Sequence, residues 1–311
     1  MLELLVLLIV CVCLMLVGSD VLVKSIIEFA NKIDISPHFI TILSVSLGSS
    51  IPEMLNSIIF AMNKLPQVGL FIILNNLVID FTLIMGFGIL VLRSLKEITY
   101  NKEYILLMTF VFIIFVMFIV DGKMTSVEGS ILFLLYPVVF LLLFRKYSKK
   151  LKRKKLKHIT FKDCLKYCFL IGASIFVLLV NANMIYLFAK VLIKYYKLPY
   201  YIVGFLLGFF TVTPELLVLL VSYFSIRRAD IAVFNLFGSF LTDLTLGIGI
   251  PAAIMGYCIK SGIFIVYISL VMLYISLAIS DLIIIRKNLP KEVGYLLIGG
   301  YILYMASLFI K

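Results

Sequence analysis

Ten long apolar segments are the feature that most constrains how this 311-residue chain can fold. About twenty apolar residues cross a bilayer as a helix, and hydrophobic residues make up 63% of the chain against 14% charged ones. Because a soluble domain is nearer half apolar and a quarter charged, a disordered chain, a secreted disulfide scaffold and a cytosolic enzyme are all excluded. The predicted spans are residues 2–27, 37–62, 66–92, 104–121, 126–144, 164–190, 199–224, 231–258, 262–285 and 293–310.

The net charge of +12 comes mostly from one segment. Residues 145–166 hold eleven Lys or Arg and one acid, Asp163. Basic loops of multi-pass proteins face the cytoplasm, so we predict a cytoplasmic loop at 145–166, a plasma-membrane location and both termini outside. The loop suits anionic lipid head groups and is not predicted to bind nucleic acid. Nothing in the sequence requires an oligomer.

The two halves of the chain carry the same pattern. GSSIPE at 48–53 matches FTVTPE at 210–215, and the later DFTL at Asp80 matches DLTL at Asp243, with offsets of 162 and 163 residues. A proline also precedes each motif proline by fifteen residues, at Pro37 and Pro199. Several features in register indicate an internal repeat.

The repeat defines the predicted organisation. A first five-helix repeat covers 1–144 with its motif at 48–86, and a second covers 167–311 with its motif at 210–249, on either side of the basic loop. Because five is odd, the second repeat enters the membrane upside down. Inverted repeats with interrupted helices at mid-membrane are typical of secondary transporters.

Four carboxylates fall within predicted spans rather than at their ends. Glu53 and Glu215 follow the motif prolines, and Asp80 and Asp243 lie near the centres of the third and eighth spans. An acid at a helix centre costs at least about 2.5–3.5 kcal/mol on insertion scales, and no Lys or Arg lies at mid-span. Protonated carboxyls that bond helix to helix are one explanation. A bound cation is the other, with metal ion, Na⁺ and H⁺ as competing ways to neutralise one site.

The prolines suggest where further oxygen ligands arise. Pro52 and Pro214 remove a backbone donor each, so we expect free carbonyls near 47–49 and 208–211. Hydroxyl and amide oxygens lie close by in sequence. Such hard oxygen ligands suit Ca²⁺. No Cys or His lies among these residues, which disfavours soft transition metals.

These motifs resemble the α-repeats of the cation/Ca²⁺ exchanger superfamily, and most closely those of its sodium/calcium exchanger branch. Gly48–Glu53 is similar to that family's G-T-S-x-P-E, and Thr211–Glu215 is a looser version of it. The stretches Asn75–Asp80 and Gly238–Asp243 stand in for the family's later G-S-N-x-x-[ND] element.

The resemblance implies an all-α membrane protein with the sodium/calcium exchanger fold. It implies an antiporter that exchanges Ca²⁺ for Na⁺ by alternating access, without enzymatic activity or a cofactor. The small inorganic cations would bind at mid-membrane to Glu53, Glu215, Asp80, Asp243, Ser49, Ser50, Asn76, Thr211 and Ser239.

Three positions depart from the family pattern. Val212 replaces a motif Ser, Asn76 replaces a later Ser, and Asp80 makes all four central positions acidic. Ca²⁺/H⁺ exchange or a K⁺-dependent mode therefore stays open, with a cation channel as a more remote alternative.

Overall fold

The structure is a computed structural model that describes residues 2–32, 46–91, 102–148, 161–220, 229–286 and 290–309. Within these ranges the chain forms ten helices, one for each predicted span. Five simple helices are α1 (Leu2–Lys32), α2 (Ser46–Met62), α4 (Lys102–Ile119), α5 (Ser126–Ser148) and α6 (Phe161–Lys194). Two more are α9 (Ile263–Arg286) and α10 (Lys291–Ser307). The predicted all-α class is confirmed, and residues 37–45 of the second predicted span lie outside the described residues.

Three helices have internal changes of geometry. Helix α3 joins Pro66–Val78, a π-helical segment Ile79–Ile84, and Met85–Val91. Helix α8 joins Ala229–Thr242, a π-helical segment Asp243–Ile248, and Gly249–Met255. Helix α7 consists of Tyr200–Thr211 and Thr213–Leu220, which meet at Val212.

Length and composition support a membrane location for these helices. Among the described residues, five segments are long and apolar enough to span a bilayer: Val6–Phe29, Pro66–Leu90, Lys162–Lys194, Tyr200–Leu217 and Asn235–Met255. Three shorter apolar helices are Ile105–Ile119, Ser126–Leu142 and Ile263–Ile279.

The helices that flank the basic segment are longer than predicted. Helix α5 continues to Ser148 and α6 begins at Phe161, so residues 145–148 and 161–166 are helical, whereas a loop was expected there. Lys and Arg favour helical backbone, and a helix can therefore continue past its apolar part into the charged region. Residues 149–160 of the predicted loop lie outside the described residues.

A short pair of strands was not predicted. Lys123–Met124 pairs antiparallel with Tyr257–Cys258, with Lys123 opposite Cys258. Gly122 and Gly256 precede the two strands with φ of 76° and 65°, a left-handed conformation that glycine adopts without a Cβ clash. The pair ties the α4–α5 connection to the α8–α9 connection, and Gln67 Nε2 donates to the Cys258 carbonyl oxygen.

The two halves share a structural device as well as a sequence pattern. The π-helical segment of α3 begins one residue before the mid-span Asp80, and that of α8 begins at the mid-span Asp243. Thr82 donates to the Val78 carbonyl and Thr245 to the Leu241 carbonyl, which are equivalent contacts in the two repeats. Such π-helical turns are frequent at functional sites.

The helices differ greatly in how deeply they are buried. In the span of α3, 94% of residues are buried, and in α8 78% are. The spans of α1 and α6 are only 28% buried. These two helices pack on each other, and Gly18 of α1 allows a close approach to Leu178 of α6. The interior is therefore formed around α3 and α8, with α1 and α6 at its side.

Candidate functional site

The four mid-span carboxylates all lie in the interior. Glu53 of α2 and Glu215 of α7 are each 1% exposed, and Asp80 of α3 and Asp243 of α8 are fully buried. Glu53 is close enough to Glu215 and Asp243 for charge repulsion, and Asp80 interacts in the same way with the other three. One interior region therefore holds acids from four helices and both repeats.

Most of the carboxylate oxygens lack hydrogen-bond donors. Among the described residues, seven of the eight oxygens of these acids accept no hydrogen bond. The exception is Glu215 Oε1, to which Ser239 Oγ donates and Ser50 Oγ donates at 3.4 Å. A buried carboxylate without donors is strongly disfavoured as an anion, so a proton or a cation must compensate these charges.

The predicted hydroxyl ligands lie beside the acids. Ser50 Oγ and Ser239 Oγ are 2.5 Å apart, which links α2 to α8. Ser49 Oγ donates to Asn235 Oδ1 at 3.1 Å. All three serines are at most 1% exposed, so their oxygens face the same dry interior as the carboxylates.

Asn76 and Thr211 join α3 to α7. With its amide oriented to satisfy both ends, Asn76 donates to the Gly208 carbonyl at 2.7 Å and accepts from Thr211 Oγ1 at 3.0 Å. The neighbouring Asn75 Nδ2 donates to the Phe205 carbonyl at 3.0 Å. These contacts fix the two helices against each other next to Glu215.

The two prolines act differently. Pro214 follows the break at Val212, whereas Pro52 lies inside the continuous helix α2. The prediction of free carbonyls at 208–211 is wrong at two positions. The Gly208 carbonyl accepts from Val212 N at 3.1 Å. Pro214 has no N–H to donate to the Phe210 carbonyl, which instead accepts from Thr213 Oγ1 at 2.5 Å. The Gly208 carbonyl thus keeps its helical donor, and a hydroxyl replaces the missing donor at Phe210.

The acids do not form a compact metal cluster. Within the described ranges, no three His, Cys, Asp or Glu side chains converge tightly enough to hold a metal ion together. A cation at this place would either draw the carboxylates inward or use two of them together with hydroxyl, amide and carbonyl oxygens. Ca²⁺ accepts six to eight such ligands in flexible geometry.

Sequence reasoning missed several polar residues of this region. Asn235 was not predicted, although it lies four residues before Ser239 and therefore on the same helical face. Thr82 and Thr245 follow the two aspartates by two residues in both repeats, which is a detectable signal. Asp20 of α1, another acid within a predicted span, forms an exposed ion pair with Lys24 at 2.7 Å.

Comparison with known proteins decides the family. A family model described as "Sodium/calcium exchanger protein" matches residues 3–145 and 166–310, one block in each half. The chain belongs to the sodium/calcium exchanger protein family. Members are multi-pass integral membrane transporters, which confirms the resemblance drawn from the motifs.

Individual relatives extend over the whole chain. The "Inner membrane protein YrbG" of Escherichia coli (strain K12) is 27% identical over 97% of this chain and 96% of its own length. The sodium-calcium exchanger NCX_Mj soaked with 2.5 mM Na⁺ and 1 mM Sr²⁺ superposes with a TM-score of 0.68 at 19% identity, covering 100% of both chains. The same exchanger soaked with 10 mM Na⁺ and zero Ca²⁺ gives 0.69 at 18% identity, covering 99% of this chain and 100% of its own. The predicted exchanger fold is confirmed.

Proposed function

We propose that this cation exchanger is a secondary antiporter that exchanges Ca²⁺ for Na⁺. The observation that carries the proposal is the set of buried carboxylates with oxygens that accept no hydrogen bond within the described residues. In this proposal Ca²⁺ binds between Glu53 and Glu215, with Asp80 and Asp243 nearby. Neutral oxygens from Ser49, Ser50, Asn76, Thr211 and Ser239 complete the ligand set.

The charge of the site would couple the two fluxes. An empty site with four buried negative charges is too costly to move past apolar surroundings, so reorientation is favoured only after Ca²⁺, or several Na⁺, has neutralised it. The low burial of α1 and α6, and their packing on each other, support these two helices as the pair that slides against the rest of the bundle. This gives alternating access to one site.

An ion-replacement flux assay tests the proposal. Purified protein in proteoliposomes loaded with Na⁺ should take up ⁴⁵Ca²⁺ when diluted into Na⁺-free medium, and an ionophore that collapses the Na⁺ gradient should stop the uptake. Protein-free liposomes are the control. Conduction of Ca²⁺ without any counter-ion gradient would instead support a channel and would contradict the antiport proposal.

A specific observation favours H⁺ as a second candidate counter-ion. Ser50 donates towards Glu215, whereas its repeat counterpart Val212 has no hydroxyl and packs in the hydrophobic core. Glu53 therefore has no hydroxyl donor to stabilise its charge, in contrast to Glu215. A carboxylate without donors is more readily neutralised by a proton. In the same proteoliposomes, Ca²⁺ uptake driven by a pH gradient in Na⁺-free, K⁺-free solutions would identify H⁺ exchange, and uptake that needs internal K⁺ would identify the K⁺-dependent mode.

We also propose the orientation predicted from the basic loop: a plasma-membrane protein with both termini outside. The exposed Cys258 lies on the strand pair, at the end of the molecule opposite to that loop in this topology. An impermeant thiol reagent should therefore label wild-type protein in intact cells, and Cys258→Ser should remove that label. Labelling of Cys258 only after permeabilisation would contradict the orientation.

A further inference from the structure

A cavity of about 460 Å³ lies at the ends of the spans, on the side of the molecule that carries the strand pair. The α2–α3 turn, the α4–α5 connection and the second strand with the residues after it form its walls. Its lining includes Lys64, Gln67, Thr125, Ser126, Cys258 and Lys260. None of the proposed cation ligands lines it, and its volume is typical of a small-molecule site. The cavity is therefore a candidate site of its own.

Two unpaired positive charges line this cavity. Lys64 and Lys260 are both exposed, and neither forms an ion pair with any described residue. No Asp or Glu in the described ranges lines the cavity. Asp121 and Glu128, the acids nearest in sequence to its α4–α5 wall, each accept a backbone N–H in their own connection. A cleft lined by charges of one sign attracts the opposite charge, so an anion fits this cavity and a transported cation does not.

The backbone of Lys64 is unusual for a lysine. Lys64 N donates to the Ala61 carbonyl at 3.0 Å and Leu65 N to the Phe60 carbonyl at 2.9 Å, which is the Schellman end of helix α2. Lys64 occupies the left-handed position of this motif, with φ of 63°, where glycine is favoured. Residues held in such a conformation cluster at functional sites. A ligand for the lysine side chain accounts for a residue that the turn itself does not favour.

Gln67 adds a hydrogen-bond acceptor to the two lysines. Its Nε2 donates to the Cys258 carbonyl oxygen, which joins α3 to the strand pair. Its Oε1 is buried and accepts no hydrogen bond from any described residue. A bare anion would satisfy the lysines and leave this amide oxygen without a donor, whereas a ligand with both a phosphate and an N–H or O–H group satisfies all three side chains. Phospholipid head groups have this chemistry, and they lie at the depth at which spans end.

We propose that this cavity binds a phosphate group carried by a phospholipid head group. Lys64 and Lys260 contact the phosphate oxygens, and Gln67 Oε1 accepts from the amine or hydroxyl of the head group. Lys64 belongs to the first half of the chain and Lys260 to the second, so a bound head group ties the two halves together at this face and stabilises the fold. The site goes beyond the proposed antiport, because it does not involve the exchanged ions.

Thermal melting of the purified protein in detergent, at constant ionic strength, tests the site. The probes are short-chain phosphatidylethanolamine, short-chain phosphatidylcholine, which has the phosphate but no N–H or O–H donor, and inorganic phosphate. Lys64→Gly and Lys260→Gln each remove one lysine. Lys197→Gly is the matched control, because Lys197 is an exposed lysine with φ of 54° that does not line the cavity.

The ethanolamine lipid should raise the wild-type melting temperature by about 3 °C or more at saturation, and the choline lipid should bind at least about fivefold more weakly. Lys64→Gly and Lys260→Gln should each raise the apparent dissociation constant about tenfold or more, as for a lost contact to a charged group, while Lys197→Gly should match wild type. Without lipid, Lys64→Gly should melt at or above the wild-type temperature, since glycine fits the left-handed position.

An unchanged dissociation constant in either cavity variant, an equal rise in Lys197→Gly, or equal binding of the choline lipid would overturn the head-group site. Stabilisation by inorganic phosphate as strong as that by the ethanolamine lipid would assign the cavity to a soluble phosphate and would overturn the lipid source. No ion flux is measured, so a failure of this site is distinguishable from a failure of the antiport proposal.

Discussion

Replacing either motif glutamate by glutamine is expected to abolish Ca²⁺ transport while the protein still folds. Glu53→Gln and Glu215→Gln each remove one of the two charges proposed to hold Ca²⁺, and a neutral amide cannot replace a carboxylate for a divalent ion in a dry interior. Proteoliposome uptake of ⁴⁵Ca²⁺ should fall to the level of protein-free liposomes in both variants.

Stability should behave in the opposite way to transport. Removing an uncompensated buried charge relieves repulsion among the four acids, so in ion-free buffer both variants should melt at or above the wild-type temperature. Glu292→Gln, an exposed acid at the start of α10, is the matched control and should transport normally. Wild-type uptake by either motif variant would remove that glutamate from the site.

Gly204→Leu is expected to be strongly destabilising although it lies away from the acids. A Cβ at Gly204 would lie 2.4 Å from Phe71 Cβ and 3.1 Å from the Phe71 carbonyl carbon. A Cβ at Gly208, one turn further, would lie 2.8 Å from the side-chain amide of Asn75 and 2.9 Å from that of Asn76. This spacing of small residues lets α7 and α3 approach closely, as in other membrane helix pairs. Overpacking costs about 1–3 kcal/mol, occasionally more, and here the neighbour includes backbone that cannot move aside.

Thermal melting in detergent measures this effect. Gly204→Leu should lower the melting temperature and the yield of monodisperse protein, with transport lost because α7 also carries Thr211 and Glu215. Gly172→Leu is the control, since a Cβ at Gly172 has no neighbour within 4 Å, and the loss of a helical glycine there should be neutral or stabilising. Equal melting temperatures for the two variants would contradict the close α3–α7 packing.

Most of the fold could be predicted because hydropathy is the dominant constraint in lipid. A span must satisfy every backbone polar group internally, so each apolar segment of sufficient length becomes a helix. Helix ends were less predictable, since Arg145 and Lys166 extend helices beyond the apolar core. The strand pair at Lys123 and Cys258 depends on contacts between distant connections, which periodicity cannot reveal.

The site could be predicted in outline for an energetic reason. Acids at mid-span are so costly that their positions in two matched pairs indicate a function, and Glu53, Asp80, Glu215 and Asp243 are indeed all buried. The local hydrogen bonds could not be predicted, because they depend on side-chain orientation. The Thr213 hydroxyl donates to the Phe210 carbonyl, which was expected to be free. The Ser49 hydroxyl donates to the Asn235 side chain.

Direct binding of ⁴⁵Ca²⁺ to purified protein in detergent tests the central claim, that buried carboxylates hold Ca²⁺ and Na⁺ in competition. The predicted result is saturable Ca²⁺ binding that Na⁺ displaces in wild-type protein and that is absent from Glu53→Gln and Glu215→Gln. Ca²⁺ binding that persists in both variants and is insensitive to Na⁺ would contradict the account.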